Sequence, residues 1–168
     1  MPKALRLYVR YVEVVNRKIG RAVMYMIFLM MAVLLYSSLS KTFFVPSLWT
    51  LEIAQFLMVA YFLLGGPYSL QLDDHVRMDL IYGKWSDRTK TLVDVVTVLF
   101  LIFYLFWLFY GGSSSTQYAV EYHERSASAW RPYMWPIKVV MTFAILMMLL
   151  QAIAVFIKDI AKLKGETL

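Results

Sequence analysis

The 168 residues are 61% hydrophobic with a mean hydropathy of +0.61, and only 17% are charged, where a soluble domain carries about 25%. This composition selects a membrane protein, and the absence of cysteine excludes disulfides, thiolate metal centres, iron–sulfur clusters and covalently attached haem. The net charge of +6 does not indicate nucleic acid, because the basic residues flank apolar runs instead of alternating with stacking aromatics in one patch.

In chain order, Leu5, Tyr8, Val9, Val12, Val15 and Ile19 recur at spacings of three and four, while Lys3, Arg6, Arg10, Arg17 and Lys18 take the other side. This predicts an amphipathic interfacial helix over 1–20 whose basic side suits anionic membrane lipid. A spanning helix needs about 20 mostly apolar residues, and four stretches meet that length: 22–39, 48–70, 92–111 and 137–157. The first of these is too long for the apolar part of a cleavable signal, so none is expected. The predicted fold is an all-α membrane protein, one domain over 1–168, with four transmembrane helices. Residues 1–21 hold Lys3, Arg6, Arg10, Arg17, Lys18 and Arg21, the middle connection adds Arg77, Lys84, Arg88 and Lys90, and the tail adds Lys158, Lys162 and Lys164. Only Lys41, Arg125, Arg131 and Lys138 remain for the opposite side, so the positive-inside rule puts both termini in the cytoplasm (N-in, C-in).

Trp49 marks the outer interface, and Glu52 lies one turn deeper, with Gln55 on the same side of the helix. Ionisable groups in spans are expensive and indicate function by default. Glu52 is near a rim, however, and not at the midplane where a proton-coupling carboxylate belongs. The pair is therefore expected at an interhelical or intersubunit contact. Gly65-Gly66-Pro67 predicts a packing notch or kink. After this span, Asp73, Asp74, His75 and Asp79 could be read as metal ligands. A second histidine would strengthen that reading, but His123 falls across about 30 Å of hydrocarbon. The bland reading is a network of hydrogen bonds and ion pairs at headgroup level, with a partner contact through Arg77 and Asp79 superimposed on it.

Asp94 enters the third span one turn after Lys90, a spacing that allows an ion pair. The 112–136 connection opens with Ser113-Ser114-Ser115-Thr116 and closes with Trp130-Arg131-Pro132-Tyr133-Met134-Trp135-Pro136. It is long enough to carry a function, and Trp130 and Arg131 are candidates for periplasmic docking. Gln151, about a turn from the centre of the fourth span, is expected to bond another helix. No phosphate loop, serine elbow or paired-histidine zinc helix is present, so no enzyme activity and no cofactor are expected. Four spans without an internal repeat are also too few to enclose a substrate site.

The order of these features resembles the small membrane subunit of tripartite ATP-independent periplasmic (TRAP) transporters. The similarity covers nearly the whole chain: a basic amphipathic start, four spans, Trp49 and Glu52 opening the second, Gly65-Gly66 toward its end, and a Pro-containing approach to the last helix. His75-Val76-Arg77-Met78-Asp79 stands where the family carries a His-Val/Ile-x-Val/Met-Asp signature. The resemblance implies a scaffold subunit in a bacterial inner membrane. Its partners would be a large elevator subunit, which holds the sodium and substrate ligands, and a periplasmic solute-binding protein that delivers an organic anion. Two rival readings predict other residues: a respiratory-enzyme anchor needs histidines at membrane depth, and a stand-alone small exporter needs a central acidic residue.

Overall fold

The computed structural model describes residues 3–72 and 87–163, and they are almost entirely helical. Helix α1 (Lys3–Met24) leads through one turn residue, Tyr25, into α2 (Met26–Phe43); α3 (Thr50–Leu72), α4 (Asp87–Glu121) and α5 (Trp135–Leu163) follow. At Tyr25 the amide donates to the Ala22 carbonyl (3.2 Å) and the carbonyl accepts from Phe28 (3.2 Å). These are three-residue steps that tighten the chain locally and redirect α1 without a break. Four segments are long and apolar enough to cross a membrane, one each ending in α2 and within α3, α4 and α5. The chain is thus a multi-pass membrane protein.

The four spans do not close into a bundle. The packed neighbours are α2 with α3, α3 with α5, and α5 with α4, which gives an open row α2–α3–α5–α4. Helix α1 lies across one end of this row, touching α3, α5 and, more lightly, α2. The α4–α5 pair is the most extensively packed, around Leu105, Ile145 and Ala152. An open row leaves both broad faces of its helices uncovered. The chain exposes 11,760 Å², roughly a third more than the ~8,600 Å² expected of a soluble monomer of this mass.

The sequence-derived boundaries move where side chains give the helix something to hold. At 35 residues α4 is about 52 Å long, well beyond the ~30 Å hydrocarbon core. The connection expected at 112–136 therefore shortens to 122–134, and Ser113 to Thr116 are helical. Gly112 lets α4 approach Thr142 and Ile145, and the Thr116 hydroxyl bonds the Gly112 carbonyl (2.8 Å) and pairs with the Thr142 hydroxyl (2.8 Å). Helix α3 runs unbroken through Pro67, which is buried, while Gly66 faces Met148 of α5.

Candidate interaction surfaces

Helix α1 shows three separate sides. One packs on the row through Val9, Val12, Asn16, Gly20 and Val23, spaced three, four, four and three residues apart. Val9 and Val12 close over Ala154 of α5, together with Tyr8, Leu150 and Ile157. The Asn16 amide, 3% exposed, donates to Gln151 Oε1 (2.7 Å), and Gln151 is itself 1% exposed. Tyr8 donates to the Leu150 carbonyl (3.1 Å), and Glu13 pairs with Lys158. Tyr8 and Asn16 are about 12 Å apart along α1, yet their partners on α5 are adjacent, so α1 crosses α5 instead of running beside it. A second side, with Leu7, Tyr11 and Val14, is exposed and apolar; a third carries Lys3, Arg6, Arg10, Arg17 and Arg21 into solvent. The apolar side expected from spacing is therefore buried or half-buried, with Val9 and Val12 against α5, and the exposed apolar residues Leu7, Tyr11 and Val14 lie outside it. Asn16 and Gly20 were not part of that stripe. The signal for Asn16 was an amide four residues after Val12 in an otherwise apolar row, with Gln151 an amide near the centre of a span.

At the far end of the row, the connection between α4 and α5 is held in a small antiparallel bridge between Arg125 and Tyr133. Ser126 donates its amide to the Pro132 carbonyl (2.9 Å) and Met134 to the Glu124 carbonyl (2.9 Å). The Arg125 guanidinium donates to the Tyr133 hydroxyl (2.5 Å), with its carbon 4.4 Å from the ring centroid of the same residue. Lys138 pairs with Glu124 (2.5 Å) across the loop base. His123 and Arg131 adopt positive φ of 48° and 51°, so two tight reversals shape the loop. Trp130 and Arg131 sit exposed at its far side. Replacing Arg125 by alanine is expected to lower stability by less than about 1 kcal/mol, because the contact is exposed. The same change frees Tyr133, so cleavage within 122–134 by an added protease should accelerate; unchanged cleavage would show that the bridge alone orders the loop.

The turn from α2 to α3 is polar inside. Thr50, 1% exposed, donates to Ser37 Oγ (3.0 Å) and pairs with Ser47 Oγ (2.9 Å), while Ser40 donates to the Val45 carbonyl (2.9 Å). Tyr36 stacks on Trp49 with centroids 5.7 Å apart. Glu52 is turned inward at 8% exposure, and its Oε2 finds no hydrogen-bond partner among the described residues. Gln55 stays on the outer surface, so the two residues expected to share a stripe are divided. His75, Arg77 and Asp79, with the metal-ligand reading of Asp73, Asp74 and His75, lie outside the described residues. Among those described, no three His, Cys, Asp or Glu side chains come together to hold a metal ion.

Between α4 and α5 lies an open apolar groove of about 560 Å³, walled by Leu99, Phe100, Ile102, Phe103, Phe106, Leu149 and Ile153. With no polar group in its lining, this groove suits hydrocarbon and offers nothing to orient a polar solute.

Compared with known proteins, residues 30–162 match the family model described as tripartite ATP-independent periplasmic transporters, DctQ component. The match begins inside α2 and runs nearly to the end of α5, leaving α1 outside it. No curated protein matches the chain.

Proposed function

This chain belongs to the DctQ component family of tripartite ATP-independent periplasmic transporters, and from that premise we propose that it is a scaffold that supports a large elevator subunit in sodium-coupled uptake of an organic anion. Family membership sets aside the respiratory anchor and the stand-alone exporter. The observation that carries the scaffold reading is the open row α2–α3–α5–α4, whose broad faces are apolar and uncovered by any fifth span among the described residues. A row of this shape offers a broad uncovered face to another membrane protein. In this proposal the large subunit holds substrate and sodium, and a periplasmic binding protein docks over the 122–134 loop. Both termini face the cytoplasm of a bacterial inner membrane, with the basic side of α1 at anionic headgroups; the lysines and arginines concentrated on α1 and the tail support that orientation.

The deciding experiment reconstitutes uptake in liposomes with a sodium gradient, adding the large subunit, the binding protein and this chain in all combinations. Uptake is expected only when all three are present, with this chain and the large subunit recovered as one complex. Transport by this chain alone would overturn the reading, as would full transport by the other two components without it.

A further inference from the structure

We propose that one face of α3 is the seam along which a membrane-spanning helix of the large subunit packs. This rests on the reading above and names the surface it uses. The exposed positions of α3 are confined to a single stripe: Leu51, Gln55, Met58, Phe62 and Leu72. Gly65 falls on the same line, and a Cβ built there would meet nothing within 4 Å. Successive steps are four, three, four and three residues, and seven more reach Leu72, an average of 3.5. The flanks are taken already, with Thr50 bonded to Ser37 of α2 and Gly66 against Met148 of α5.

Two observations choose a helix over lipid as the occupant of this stripe, whose spacing also fits a left-handed helix crossing. Gln55 lies five residues, about 7.5 Å, inside the start of α3, and its amide has no partner among the described residues. An unpaired amide facing hydrocarbon costs several kcal/mol, a penalty removed by a hydrogen-bonding side chain on a second helix. Gly65 is the one place on the stripe where a second backbone or a large side chain gains close approach. Helix α4, by contrast, is exposed around most of its circumference and presents bulky side chains such as Phe100, Phe103 and Phe106, with no polar group among these three. That surface matches lipid.

The chain contains no cysteine, so single-cysteine variants report one position each. Met58→Cys and Phe62→Cys on the seam, and Phe100→Cys and Phe103→Cys on α4, would each carry a short photo-cross-linker in membranes that also contain the large subunit. Adducts with the large subunit are expected from the seam positions in clear excess over α4. Gly65→Leu should reduce recovery of the large subunit about tenfold, while Gly65→Ala retains it. Because a Cβ at Gly65 meets nothing in this chain, neither variant should lower the chain's own thermal midpoint. Adducts confined to α4, adducts joining two copies of this chain, or undiminished recovery with Gly65→Leu would each overturn the proposal. A wild-type chain that fails to co-purify with the large subunit would instead bring down the scaffold reading. Co-purification with a silent seam would remove this assignment alone.

Discussion

Gly20→Ala is expected to destabilise the chain by about 1–3 kcal/mol, the range for overpacking a site that cannot yield. The sign is the informative part. In a helix interior glycine is worse than alanine by about 0.5–1 kcal/mol, so the substitution should help wherever space allows. At Gly20 an added Cβ would stand 2.5 Å from Tyr68 Cγ and 2.6 Å from Tyr68 Cβ. A rotamer change moves the ring but not the Cβ, which is fixed to the α3 backbone, so α1 itself must lift. Lifting α1 pulls Val9 and Val12 from Ala154 and lengthens the bond from Asn16 to Gln151. Gly65→Ala and Gly111→Ala are the controls, since a Cβ at either position meets nothing. Thermal denaturation of the purified chain in detergent should place Gly20→Ala below wild type and the two controls at or above it. A Gly20→Ala protein as stable as the controls would mean that α1 is not seated on Tyr68.

The second large effect is expected at the buried amide pair that joins α1 to α5. Asn16→Leu leaves the Gln151 amide buried with its partner gone, and Gln151→Met does the same to Asn16. Each single change should cost about 1–3 kcal/mol, the penalty for stranding a buried polar group. Removing both amides strands nothing, so the double variant should recover most of the loss. A double-mutant cycle measures this directly. Additive losses would show that the two amides act independently and that the 2.7 Å contact carries no coupling.

These two sites show how far the chain could be read before its packing was known. The four spans, the helical class and the amphipathic start follow from run length and from spacings of three and four, because hydrocarbon demands about 20 apolar residues whatever the fold. The family resemblance rested on Trp49, Glu52, Gly65-Gly66 and the His75–Asp79 segment, and the family match over 30–162 covers the first three within the described residues. Gly20 and Tyr68 were invisible, since no local pattern says that a glycine in a basic amphipathic helix meets a tyrosine 48 residues away. Gln151 was legible as an amide needing a bond, but its donor was not. Asn16 lies in the segment assigned to the lipid surface, and choosing that helix as the partner needs three dimensions.

Local physics thus settled the elements. Each spanning helix satisfies its own backbone in a medium without water, so its existence, length and type are written in consecutive residues. The arrangement of those helices was decided only by tertiary structure, because inside a bilayer every apolar face is equally acceptable to lipid and hydrophobicity cannot say which faces meet. Small residues, single amides and side-chain shape choose among them: Gly20 against Tyr68, Asn16 against Gln151, Gly112 against Thr142. They produce an open row instead of the closed bundle that four apolar helices would equally permit. The same rule explains Glu52 and Gln55, three residues apart in the sequence, one folded inward and the other facing outward.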